Sequence, residues 1–219
     1  MLYEAENLQG VINMLRHVCL LMLVLVTGII FAGCGTSQSA ASQEDISHEI
    51  VLGSQSVKAS KTLIVYFSWS GNSAEMAKYI QEQTGGDLLT LQPLEPYPSD
   101  YDACVKVAKD EVDGNILPKI ANLPNDMAQY DTILVGYPIW WHTAPMIIGT
   151  FLSYYDWSGK DIYPFVQSAA MSQEHFDNSM EFVKKYARNA NVHDGLYAKS
   201  ANHAKIQQWL KENNLLQKN

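Results

Sequence analysis

The sequence predicts a doubly wound open α/β sheet of five parallel strands with helices on both faces. Between residues 61 and 217, five short apolar runs alternate with five amphipathic stretches, the rhythm of strand–helix–strand units. The first run, Leu63-Ile64-Val65-Tyr66-Phe67, is continuously apolar, as a parallel strand covered on both faces requires. Segments rich in serine, glycine and tryptophan follow the first and third runs directly. In open sheets that is the edge where ligands bind.

After the first strand, Met76, Ala77 and Ile80 share one helical face, and Gly85-Gly86 stops the helix. Asp87 to Leu91 reads as a second, weaker strand. Beyond Pro96 and Pro98, a second helix is expected from Asp100 to about Asp113. Cys104, Val105 and Ala108 fall at helical spacing there, so Cys104 reads as a buried small hydrophobe and not as a nucleophile. Asp126 to Tyr130 is expected to be a solvated turn before a third strand, Thr132 to Tyr137. Pro145 then starts a helix with Ile148, Phe151, Leu152 and Tyr155 on one stripe, Pro being tolerated in a first turn. Ile162 to Val166 makes the fourth strand, Phe176 and Met180 a fourth helical face, and Val192 to Ala198 the fifth strand. Ile206 and Leu210 mark the last helix.

The first 34 residues read as a segment apart. Val18 to Gly33 carries no charge but is shorter than the roughly 20 residues a spanning helix needs, which suits a signal-peptide core. Arg16 and His17 give it a cationic flank, whereas Glu4 and Glu6 have the wrong sign, so Met14 is the expected true start. The run ends in Phe31-Ala32-Gly33-Cys34, which resembles the bacterial lipoprotein signal. That resemblance implies acylation of Cys34, anchoring at a membrane, and a place in the bacterial cell envelope: on the outer side of the cytoplasmic membrane, in the periplasm or at the outer membrane. More than one acyl chain is what stable anchoring requires. Residues 35–60 hold seven serines and no aromatic, and read as a flexible tether with a contour of about 90 Å and a random-coil span of about 30 Å. The expected organisation is therefore signal peptide 1–34, tether 35–60 and folded domain 61–217. With Cys19 removed and Cys34 acylated, Cys104 stands alone in the domain and no intrachain disulfide is expected.

With 15 Lys+Arg against 23 Asp+Glu, the 219-residue chain carries a formal charge of −8, and 47% of it is apolar. It has material for a core and no basic run to release counterions from nucleic acid, so nucleic-acid binding is excluded as a main activity.

The loop Ser68-Trp69-Ser70-Gly71-Asn72-Ser73 runs straight into a helix. Backbone N–H groups and the positive dipole end make such a loop suitable for a phosphate dianion, while Ser70 or Asn72 acting as a plain helix cap is the alternative. It contains no Gly-Lys-Ser/Thr and no G-x-G-x-x-G, which excludes a Walker loop and a dinucleotide fingerprint. After the third strand comes Gly136-Tyr137-Pro138-Ile139-Trp140-Trp141-His142-Thr143-Ala144-Pro145, where adjacent tryptophans between prolines form a flat aromatic wall.

Together the two loops resemble those of the flavodoxin-like family, VYFSWSGNS its phosphate loop and GYPIWWHTAP its isoalloxazine loop, above all in the short-chain bacterial branch. The likeness runs from Thr62 to about Lys211 and takes in LEPYPSDYD, FLSYYDWSGK and DGLYAKS. It implies a non-covalent FMN, with the phosphate on Ser68, Ser70, Gly71, Asn72 and Ser73 and the ring against Pro138, Ile139, Trp140, Trp141 and His142. Redox chemistry would then belong to the cofactor and orientation to the protein. Without its first 34 residues the chain keeps 14 Lys+Arg against 21 Asp+Glu, a charge of 14 − 21 = −7, which would lower the potential of an anionic reduced flavin. Trp69 is expected to cover the loop.

The third loop departs from the family pattern. Gln167-Ser168-Ala169-Ala170-Met171-Ser172-Gln173-Glu174 offers alanine where glycine is usual, so a different conformation or ring environment is expected wherever φ > 0 would be needed. Export through a route without paired arginines further requires FMN to be acquired outside the cytoplasm. Three functions stay open: an FMN-dependent oxidoreductase passing electrons to a quinone-like or protein acceptor, a one-electron shuttle without substrate turnover, and a cofactor-free binding module. His142, beside Trp141, is expected either to bond the proposed ring or to be a plain surface-loop histidine. His175, with Glu174, reads as an exposed helix start, and His48, His193 and His203 show no metal-ligand spacing.

Overall fold

The computed structural model describes residues 61–170 and 172–217; the signal-like run, Cys34, the tether and Met171 lie outside the described residues. Strands β1 (Lys61–Tyr66), β2 (Asp87–Thr90), β3 (Tyr130–Pro138), β4 (Asp161–Gln167) and β5 (Asn191–Val192) form one sheet in the order β2-β1-β3-β4-β5, and β6 (Leu196–Tyr197) also pairs with β4. Every pairing is parallel. The helices are α1 (Asn72–Thr84), α2 (Tyr101–Asp113), α3 (Met146–Tyr154), α4 (Gln173–Tyr186) and α5 (His203–Glu212).

The continuous apolar run of β1 resolves into two interleaved sets, as a period-2 strand demands. Leu63, Val65 and Phe67 join a core with Ile133, Val135 and the α3 residues Ile147, Phe151 and Leu152. Ile64 and Tyr66 join Leu134, Phe165, the α1 residues Met76, Ala77 and Ile80, and the α5 residues Ile206 and Leu210 on the other face. Burying each large aliphatic side chain contributes roughly 1.5–3 kcal/mol, so both faces hold the sheet. Among the described residues, no helix is long and apolar enough to cross a membrane.

Four details differ from the sequence reading. The fifth strand is split. β4 residues at even positions accept from the β5/β6 side, His193 N–H donating to Ile162 O and Ala198 N–H to Val166 O. Pro164 faces the same side and has no N–H to give, so the ladder breaks opposite it. Register then jumps from Ile162↔Val192 to Phe165↔Leu196, one extra residue on the outer strand. Pro145 stands as the cap before α3 with ψ 144°, not inside its first turn, and Tyr155 lies just past the helix end. The segment before β3 is not solvated throughout: Met127 and Tyr130 are buried, while Asp126 turns the chain by accepting from Ala128 N–H at 2.7 Å.

Candidate functional site

The polypeptide leaves β1 through Phe67, whose N–H donates to Gly136 O, and turns into α1 at Gly71, with φ 93° and ψ −22°. That left-handed backbone suits glycine, and a Cβ there would meet nothing within 4 Å. Gly71 N–H donates to Ser68 Oγ at 3.1 Å and Asn72 Nδ2 to Ser70 Oγ at 3.2 Å, so the loop is braced by its own hydroxyls. The plain-cap alternative fails, because no side chain caps α1. By contrast, Asp100, Ser172 and Asn202 cap α2, α4 and α5 through bonds to the N–H groups of Ala103, His175 and Lys205. The two helices without a side-chain cap are α1 and α3, which begin after the two loops singled out from the sequence. Behind the first loop, Ser73 is 2% exposed and its hydroxyl is buried with no partner among the described residues. Such an orphan costs about 1–3 kcal/mol. An anion seated on the first turn of α1 is the kind of acceptor this end of the helix lacks.

The second loop makes a tight hairpin. Trp140 N–H donates to Thr143 O at 2.9 Å and Thr143 N–H to Trp140 O at 3.0 Å, with Trp141 at φ 45° and His142 at φ 65° between them. Two successive left-handed residues define the primed turn that normally takes Asn-Gly. Tryptophan and histidine hold it against a steric cost of roughly 1–2 kcal/mol each, a kind of strain that collects at functional sites. The turn separates the two indoles, so they do not form one flat wall. Trp140 meets Phe67 and Tyr97 edge-on, at centroid distances of 5.2 and 5.1 Å. Trp141 lies out over α2, its Nε1 donating to Val105 O at 3.0 Å and Lys109 Nζ standing 5.3 Å from its ring centroid. His142 stacks on His175 at 4.1 Å, tying this loop to the start of α4. His175 is therefore half-buried and partnered, not simply a solvent-facing helix start.

Both loops open on one cleft of about 470 Å³. Ser70 and Asn72 line it together with Pro138, Ile139, Trp140, Trp141 and His142. Ser68 faces a neighbouring cleft of about 400 Å³ instead, and Gly71 and Ser73 line neither. Trp69 is shared by both clefts and is fixed by an Nε1 bond to Pro98 O at 2.9 Å, so it covers the loop and also walls the site. No lysine or arginine lines the larger cleft, leaving backbone dipoles, hydroxyls, the amides of Asn72 and Gln167 and the His142 imidazole as its anion-binding groups.

Three parts of the site differ from, or go beyond, the sequence reading. The face Tyr101, Cys104, Val105 and Ala108 of α2 lines the cleft; its i, i+3, i+4, i+7 spacing signals a buried face without telling core from ligand wall. Burial, and secondarily Glu111, pushes the Cys104 thiol up, which agrees with an inert cysteine. Glu111 is a buried carboxyl 2.8 Å from the Tyr97 hydroxyl that donates to it. In the third loop, no residue from Ser168 to Ala170 has positive φ. Alanine thus sits there without the strain expected of it, and the left-handed backbone of the site is at Trp141 and His142. Ile139 N–H bonds Gln167 O at 3.2 Å, holding the second and third loops side by side.

The family model for flavodoxin matches residues 61–213. The chain belongs to the flavodoxin family. Among solved structures, the chain is similar to a candidate flavoprotein from Bacteroides eggerthii DSM 20697, at 32% identity and a TM-score of 0.62 over 70% of this chain and 97% of that one. A second such protein, from Bacteroides uniformis ATCC 8492, matches at 31% identity and a TM-score of 0.61, over 69% of this chain and 98% of that one. A flavoprotein from Lactobacillus acidophilus NCFM, solved in complex with FMN, matches at 27% identity and a TM-score of 0.56, over 69% and 99% of the respective chains. No curated protein matches the chain.

Proposed function

We propose that this chain binds FMN in the larger cleft and works as an FMN-dependent oxidoreductase, tethered to the bacterial cell envelope through an acylated Cys34. The observation that carries the reading is that the uncapped start of α1, with Ser70 and Asn72, opens on the same cleft as Trp140 and Trp141. The FMN complex of the Lactobacillus relative supports the same cofactor. Bound FMN supplies one- and two-electron redox chemistry. The protein's share is placement. The first-turn N–H groups, Ser70 and Asn72 hold the phosphate, and the strained Trp140–Thr143 turn presents a preformed aromatic edge to the ring. The walls built by Ile139, Cys104 and Ala108 keep water from one side of it. Lying on the C-terminal edge of the sheet, the cleft leaves the ring accessible to a quinone-like or protein acceptor, and the acidic surface disfavours added negative charge on the ring.

Titration of the purified chain with FMN tests this. Flavin absorbance bands with quenched tryptophan fluorescence are expected, and a colourless, non-binding protein would sink the reading. Turnover of a quinone with a reduced donor separates the oxidoreductase from a shuttle. Incorporation of a labelled fatty acid that disappears in Cys34→Ala tests the anchor.

A further inference from the structure

Glu111 does not line the cleft, yet it is an acidic residue only 8% exposed. No lysine, arginine or histidine pairs with it among the described residues. Its partner is the Tyr97 hydroxyl, donating at 2.8 Å. Leaving a carboxyl buried without a cation is costly, so this contact is expected to do something that an apolar pair would not. The Tyr97 ring meets Trp140 edge-on at 88° and 5.1 Å, and Phe67, itself 5.4 Å from Tyr97, meets Trp140 at 88° and 5.2 Å. The indole of Trp140 is thereby fixed by two perpendicular rings. Of these, Phe67 is packed directly after β1, whereas Tyr97 sits in the loop between β2 and α2, and its hydroxyl ties the ring to α2.

We propose that Glu111 is a positioning residue for the flavin site: by holding the Tyr97 hydroxyl, it sets the orientation in which Trp140 meets the ring. This rests on the FMN reading above. It goes beyond that reading because Glu111 and Tyr97 do not line the larger cleft, and the ring contact of Tyr97 with Trp140 is what carries their effect to it. The charge is not what the role requires; an acceptor of the right length is.

The full chain carrying Glu111→Gln, Glu111→Leu, Tyr97→Phe or Trp140→Phe provides the test. The difference in near-ultraviolet circular dichroism between wild type and Trp140→Phe isolates the Trp140 band. Gln at position 111 still accepts from Tyr97, so Glu111→Gln should keep the band and bind FMN within about twofold of wild type. Tyr97→Phe and Glu111→Leu should lose most of the band and bind FMN about tenfold more weakly, the size of one lost hydrogen bond. Wild-type band and affinity in Tyr97→Phe would overturn the proposal, as would loss of the band with unchanged affinity. Should Glu111→Leu fail to fold, the contrast of Tyr97→Phe with Glu111→Gln still decides. If the wild type takes up no FMN, the functional reading fails by itself, and the band in Tyr97→Phe decides the positioning role alone.

Discussion

At Gly71 the backbone carries φ 93° into an uncapped helix start, so substitutions there separate backbone strain from charge. Gly71→Asn tolerates a left-handed backbone and should bind FMN within a few-fold of wild type. Gly71→Asp brings a carboxylate to the positive end of α1, where it competes with the phosphate, and should weaken binding more than about tenfold. Equal affinities by fluorescence titration would refute the phosphate-loop assignment. Trp141 and His142 are the mirror case, side chains held where glycine is preferred. His142→Gly should raise the unfolding free energy by ~1 kcal/mol in urea denaturation, while FMN binding weakens because the imidazole that lines the cleft and stacks on His175 is gone. The sequence places Trp140, Trp141 and His142 together beyond β3 but does not show how they are arranged. Neither tryptophan nor histidine signals a primed turn, and only the reciprocal bonds of Trp140 with Thr143 reveal that the indoles diverge. The third loop misled for the same reason, since a glycine-to-alanine change signals strain only where φ is positive.

Each strand and helix was legible where its hydrophobic period was long. β1, α1 and α3 stand where the apolar runs place them, and the order of elements follows. The fifth strand was not legible as two pieces, because the cause lies in its neighbour: Pro164 in β4 interrupts the ladder that Val192 and Leu196 would otherwise share. A strand's continuity depends on donors supplied across the sheet, which a one-dimensional pattern does not contain. Nor could it show how tightly β3 and β4 pack. A Cβ on Gly136 would lie 2.1 Å from the Phe165 ring, its cross-strand partner. Gly136→Ala should therefore destabilise the fold by roughly 1–3 kcal/mol or more, by overpacking, with the double variant Gly136→Ala/Phe165→Leu recovering part of the loss in thermal melts.

For the molecule as a whole, the buried Glu111 couples stability to pH. Burial raises its carboxyl above the ordinary value of 4.5, the Tyr97 bond opposing that shift. The folded state then holds a proton the unfolded chain has already released. Its contribution is fully present below about 4.5 and is lost as pH rises through the raised folded value. Glu111→Gln removes this dependence. Its melting temperature relative to wild type should thus be higher at about pH 8 than at about pH 4.5, and an equal difference at both would mean that Glu111 titrates as in the unfolded chain.

The chain enters the sheet at Lys61, the amino end of β1, whereas Ser70, Trp140 and His142 lie past the carboxyl ends of β1 and β3. Entry point and cleft thus occupy opposite poles of the same strands, about 20 Å apart at the rise of a six-residue strand. Fixed directly at Lys61 to an electrode or a bead, the domain would turn its cleft outward, and the attachment would leave the mouth clear for a diffusing partner.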